Sequence, residues 1–188
     1  MPRDRKTTTT SLIYGPVPSR RLGRSLGVDI VPYKTCTYDC IYCQIGRSPQ
    51  TTIERKPYIP AEQILYQLET KLHSGVRPDF VTVGGSGEPC LHSGIGEIIL
   101  RVKEMTDVPV AVLTNGALLW SPEVRAALLP ADVVLPSLDA FDAYSFKKIN
   151  RPHPNISFEA MIQGIADFRS VYSGRIWLEI FIIKGVND

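Results

Sequence analysis

The stretch YKTCTYDCIYCQIG, residues 33–46, places Cys36, Cys40 and Cys43 within eight residues at the spacing C-x-x-x-C-x-x-C. Cysteines this close make a poor disulfide framework, because bridges between them would close loops too short to constrain an unfolded chain much. Metal binding is the better reading of such spacing in a reducing compartment. A structural zinc ion wants four closed ligands, so Cys90 or His92 would have to complete the set. An iron–sulfur cluster on three thiolates instead leaves one iron open to a small molecule, whereas electron-transfer clusters normally take four cysteines. Either way the sulfurs belong on a loop, where regular geometry does not pull them apart.

The rest of the chain says what that loop is mounted on. SLGVDIV (25–31), FVTV (80–83), VAVL (110–113), VVLP (133–136) and IWLEIFII (176–183) are short, β-branched or aromatic, and read as five strands. Between them Ile64, Leu65, Leu68 and Leu72 follow Pro60 and stop near Gly75, the pattern of a helix with proline at its start and glycine past its end. Ile95, Ile98, Ile99, Val102 and Met105 form a second stripe, Ser121-Pro122-Glu123 opens a third helix, and Ser157 caps a fourth from Phe158 to Tyr172. Strand and helix alternate, which implies right-handed crossovers and a parallel α/β sheet, either doubly wound or a barrel. In both, ligands gather at the carboxyl ends of the strands. The cysteine loop, GGSGEPC (84–90), TNG (114–116) and PSLD (136–139) all fall there.

At 188 residues, 44% hydrophobic and 21% charged, the chain has the makings of one globular domain. It has no apolar run of membrane-spanning length, and its amino end is basic without the apolar block of a secretory signal, so a cytoplasmic protein with no membrane partner is expected. Residues 1–24 carry Arg3, Arg5, Lys6, Arg20, Arg21 and Arg24 against Asp4 alone. They read as a basic N-terminal arm ahead of a core domain of residues 25–188. Such an arm is either solvated or able to touch phosphate, and Arg20, Arg21 and Arg24 would suit a clamp on RNA.

With Tyr42 placed just before the third cysteine, the loop resembles that of the radical S-adenosylmethionine (radical SAM) superfamily, C-x-x-x-C-x-aromatic-C. The stretch YGPVPSRRLGRSLGVDIVPYKTCTYDCIYCQIGR together with SGEP is similar to the Fe-S oxidoreductase branch related to wyosine-forming tRNA enzymes, and the likeness runs from Tyr14 onward. The resemblance implies a partial (β/α)6 barrel. It implies that Cys36, Cys40 and Cys43 ligate a 4Fe-4S cluster whose fourth iron takes the amino and carboxylate groups of S-adenosylmethionine. Reductive cleavage would then give methionine and a 5'-deoxyadenosyl radical that abstracts hydrogen from a substrate, with RNA as one expectation.

Carried onto this sequence, the resemblance puts Tyr42 against the adenine and Gly84, Gly85, Ser86 and Gly87 beside the methionyl end, with Glu88 as acceptor for its ammonium. Ser137 and Asp139 are placed for the ribose hydroxyls, Asn115 for cofactor or substrate, and Glu179 for either if it faces a barrel interior. Cys90 reads as a buried thiol without a metal role, and His153 beside Arg151 as a substrate contact. The chain ends directly after the fifth strand, so the barrel is expected to be truncated there. With no flavodoxin-like domain in the chain, the electron donor is expected to be a separate protein of flavodoxin or ferredoxin type. The alternative reading is a non-enzymatic module stapled by zinc on Cys36, Cys40, Cys43 and Cys90.

Overall fold

The computed structural model describes residues 11–48 and 50–188. Arg3, Arg5 and Lys6 of the basic arm lie outside the described residues. Strands β1 (Ile13–Ser19) and β2 (Gly23–Val28) form an antiparallel hairpin. Strands β3 (Phe80–Val83), β4 (Val110–Thr114), β5 (Val133–Pro136) and β6 (Arg175–Ile176) follow in parallel. Their order in space is their order in the chain. A doubly wound sheet reverses its order part-way along. This one never does, so each crossover steps the same way and the helices collect on one face, giving the partial barrel.

Two expectations about the strands need correction. Residues 13–24 are not an arm, because β1 and the start of β2 are part of the sheet. Gly15, Pro16 and Pro18 break the strand signal of β1, and proline is tolerated there because β1 is an edge strand with one unpaired side. At the other edge the regular part of β6 is two residues long rather than eight. Its ladder continues through Trp177 N to Val134 O (3.0 Å) and Glu179 N to Pro136 O (3.0 Å). Beyond that, Phe181 N donates to the Asp139 carboxylate (2.9 Å) instead of to a strand.

Helices α1 (Ala61–His73), α2 (Ile95–Met105), α3 (Pro122–Leu128) and α5 (Phe158–Val171) lie where the apolar spacing puts them. Ser157 caps α5 by accepting from Ala160 N (3.1 Å), whereas Ser121 stands at the start of α3 without a side-chain cap bond. A further helix, α4 (Ala143–Ile149), starts with a capping box in which Asp142 accepts from Ser145 N (2.7 Å) and the Ser145 hydroxyl accepts from Asp142 N (3.1 Å). None of the described helices is long and apolar enough to cross a membrane.

Because side chains alternate along a strand, the sheet sends Val81, Val83, Val110, Val112 and Val134 to the helical side. There they join Ile64, Leu68, Ile98, Ile99 and Phe168 in one large core. The opposite, barrel-facing side holds a small cluster of Ala111, Val133 and Leu135 closed by Leu22 from the hairpin turn, with Phe80, Leu113 and Trp177 at its margin.

Candidate functional site

The loop following β2 carries the cysteines across the carboxyl ends of the strands, and it is held there by polar bonds as well as by the burial of Ile30, Val31 and Tyr38 in the core. Asp39 accepts from Arg47 Nε (2.8 Å) and Ser48 N (2.7 Å). Burial opposes its ionisation, but these two donors outweigh burial and hold its carboxyl below the usual range. The loop is laced to the segment after β3 by Lys34 N to Ser86 O (2.7 Å) and Glu88 N to Thr35 O (2.9 Å). It is laced to the end of α4 by Ile41 N to Ile149 O (2.9 Å). Asp29 adds a further tie by accepting from Ser86 N (2.6 Å) and Ser86 Oγ (2.8 Å). At Gly87 the two segments come so close that a Cβ would lie 2.0 Å from Thr35 O, so no side chain fits there.

All three cysteines of the loop are free thiols. They line a cavity of about 290 Å3 together with Tyr42, Ile45, Gly85, Gly87 and Phe181. Burial, reinforced by the Glu88 carboxylate, pushes the Cys36 thiol up to about 12, and burial pushes Cys40 up to about 11. These thiols would therefore stay protonated unless a cationic ligand replaced the proton. Two side-chain amides reach the sulfurs, Asn115 Nδ2 to Cys36 Sγ (3.6 Å) and Asn150 Nδ2 to Cys40 Sγ (3.5 Å). The Tyr42 ring is stacked on Phe181, with centroids 4.4 Å apart and planes 10° apart. One face of the ring expected to meet an adenine is thus already covered.

Several expected contacts are used inside the chain instead. Glu88 is 1% exposed and accepts from Cys90 N (2.9 Å), Thr114 Oγ1 (2.7 Å) and Asn115 N (2.7 Å). Its carboxylate therefore fixes the loops after β3 and β4 and is not free to accept an ammonium. Burial raises its carboxyl above the ordinary value. Asp139, expected at a ribose, instead accepts from the Tyr42 hydroxyl, Asn150 Nδ2 (3.0 Å) and Phe181 N (2.9 Å). Ser137 is half-buried and pairs through its backbone with Thr114 and Glu179. Gly84 gives its carbonyl to the Tyr14 hydroxyl (2.6 Å).

Glu179 does face inward and has a partner. Arg21 Nη2 lies 2.7 Å from its Oε1, an ion pair whose alignment falls short of a hydrogen bond. Arg24 is engaged with Asp79 through its backbone N (2.7 Å) and Nη2 (3.1 Å). His153 N donates to Thr37 O (2.8 Å), and Arg151 lies 3.6 Å from Asp39.

The zinc alternative fails on its own ligands. Cys90 is buried away from the cavity with its Sγ 3.4 Å from Thr114 Oγ1. His92 is buried too, with Nδ1 accepting from Gly94 N (3.0 Å) and Nε2 facing Ile59 O (2.8 Å). Neither Cys90 nor His92 lines the cavity shared by Cys36, Cys40 and Cys43. Sequence reasoning missed Asp29, Asn150 and Phe181, which act across long separations in the chain, and Asp39, whose donors Arg47 and Ser48 lie within its own loop.

Residues 30–188 match the family model of the Radical SAM superfamily. The chain belongs to the radical SAM superfamily. Members of this superfamily bind a 4Fe-4S cluster and S-adenosylmethionine. Cys36, Cys40 and Cys43 supply three free thiols around one cavity, the donor type such a cluster takes, and among the described residues no further cysteine or histidine lines it.

Among known proteins the radical SAM chain is similar to a protein of Brachyspira hyodysenteriae named GTPase Obg, at 44% identity over 95% of this chain and 26% of that protein. It is also similar to a UPF0026 protein of Methanocaldococcus jannaschii, at 35% identity over 94% of this chain and 55% of that protein. It therefore spans only part of the length of these relatives. Its fold resembles that of TYW1 solved with a lysine-pyruvate adduct, with a TM-score of 0.57 at 19% identity, covering 89% of this chain and 59% of that one.

Proposed function

We propose that this chain holds a 4Fe-4S cluster on Cys36, Cys40 and Cys43 and starts radical chemistry with S-adenosylmethionine. The observation that supports the reading best is the cavity where the three free thiols meet the Gly85 and Gly87 backbone at the carboxyl ends of the strands. When bound, the cluster supplies the electron that cleaves the sulfonium to methionine and a 5'-deoxyadenosyl radical. The chain's own residues bind and orient. Gly85 and Gly87 leave room for backbone contact with the methionyl end, and Tyr42 offers an aromatic face to the adenine. Ile45 and Phe181 make the cavity wall apolar, which keeps water from a reactive species.

The substrate is placed on the barrel-facing side of the sheet, beside Leu22, Leu135 and the Arg21–Glu179 pair. The electron comes from a donor of flavodoxin or ferredoxin type. Of the hairpin arginines expected as an RNA clamp, Arg24 is tied to Asp79 and Arg21 to Glu179, which leaves exposed Arg20 for such a contact.

Anaerobic reconstitution with iron and sulfide, then electron spin resonance of the reduced protein with and without S-adenosylmethionine, tests the reading. A reduced-cluster signal that changes when the cofactor is added is expected. Stoichiometric zinc without a cluster, or a cluster indifferent to the cofactor, would contradict it.

A further inference from the structure

Two of the three candidate cluster cysteines receive a side-chain amide, and the third does not. Asn115 stands directly after β4 and Asn150 directly after α4, so neither belongs to the cysteine loop. Their orientations are fixed by what else they bind. The Asn115 Oδ1 accepts from Ala117 N (3.0 Å), which leaves Nδ2 to face Thr37 Oγ1 (2.7 Å) and Cys36 Sγ (3.6 Å). Asn150 Nδ2 donates to the Asp139 carboxylate (3.0 Å) and so presents its nitrogen to Cys40 Sγ (3.5 Å). Asn150 is 3% exposed, and Asp139, its anchor, is held in turn by Tyr42 and Phe181. Among the described residues no side chain donates to Cys43 Sγ. Sulfur's larger radius makes these distances ordinary for N–H···S contacts. A buried amide that spends a donor on a thiol has been placed there by its other bonds.

We infer that Asn115 and Asn150 donate to the sulfurs of Cys36 and Cys40 in the loaded protein and raise the reduction potential of the cluster; the inference rests on the cluster reading above. When one electron enters from the external donor no bond forms or breaks, and the cluster with its thiolates gains one negative charge. Hydrogen bonds to the sulfurs stabilise the more negative state, and they are among the factors that set such potentials. The two asparagines are positioning residues that act through the cysteines. The arrangement also favours one side of the cluster, because among the described residues Cys43 has no side-chain donor.

Potentiometric titration of the reconstituted protein, read by the spin resonance of the reduced cluster, tests this. Asn150→Ala and Asn115→Ala should each lower the equilibrium constant for reduction by about three- to tenfold, which is roughly 30–60 mV toward more negative potential for one electron. A merely structural role would change loading without moving the midpoint of the protein that is loaded. In case either variant fails to load, the wild-type protein labelled with 15N at the asparagine side-chain amide gives a second measurement. Hyperfine coupling of that nitrogen to the reduced cluster is expected, and its absence would overturn the inference. Loaded variants with unchanged midpoints would overturn it as well. A wild-type protein with no reduced-cluster signal would take down the cluster reading and this inference together, whereas a normal signal with neither effect would remove this inference alone.

Discussion

The two faces of the sheet are built on different principles. On the helical face, valines from β3, β4 and β5 meet aliphatic and aromatic side chains from the helices, and the contact is apolar and continuous. On the barrel face the apolar cluster is small, and the carboxyl-end rim is held by buried polar groups whose partners are specified one by one. Glu88, Asp139 and Asp39 between them accept from eight donors, including Cys90 N, Asn115 N, Asn150 Nδ2 and Ser48 N. The first face supplies stability by burying area. The second spends its polar groups on shape, fixing three loops around an open space. Stability and site should therefore come apart under mutation.

The sharpest break is Cys40→Ser. Cluster loading is expected to be lost while the thermal midpoint of the unloaded protein stays close to wild type, as followed by iron content and circular dichroism. Phe168→Ala on the helical face should do the reverse. Its side chain is fully buried, so truncation is expected to cost about 3–5 kcal/mol in urea unfolding while the surviving folded fraction still loads iron.

Gly87→Ala tests the seam between the two. With its Cβ forced to within 2.0 Å of Thr35 O, the cysteine loop must shift. A loss of about 1–3 kcal/mol should accompany reduced cluster loading, since the same backbone lines the cavity.

Glu179→Gln should have the smallest effect. Burial raises the Glu179 carboxyl above its ordinary value despite Arg21, so the folded state holds this proton more tightly than the unfolded state. The charged form therefore costs stability once the pH has risen through the folded value, and the cost disappears below the unfolded value. Relative to wild type, the variant should gain under about 1 kcal/mol as pH rises from acid to neutral, and the gain should vanish in acid. Urea unfolding at both ends of that range checks the sign.

Most of the helical face was legible in the sequence, because it is written in local periodicity. The five parallel strands and the stripes of α1 and α2 follow from spacing alone. Strand β1 was hidden by its prolines, and α4, no shorter than α3, lacked the Ser-Pro opening that announced α3, although the Asp142–Ser145 capping box left a local trace of α4. The cysteine loop was legible because its ligands sit within eight residues. Its supports were not, because 110 residues separate Asn150 from Cys40 and 97 separate Asp139 from Tyr42. An acid in a glycine-rich loop reads the same whether it turns outward to a ligand or inward to its own chain. Glu88 and Asp139 turn inward, and that could be learned only from the packed structure.

The proposed function requires one iron left open at the rim of the barrel. Reduced, reconstituted protein mixed with S-adenosylmethionine carrying 15N in its amino group is the most direct test, read as electron-nuclear double resonance. Strong coupling of that nitrogen to the cluster, lost in the Cys40→Ser protein, is the predicted result. A cluster that forms on the three cysteines and shows no coupling to the labelled cofactor would contradict it.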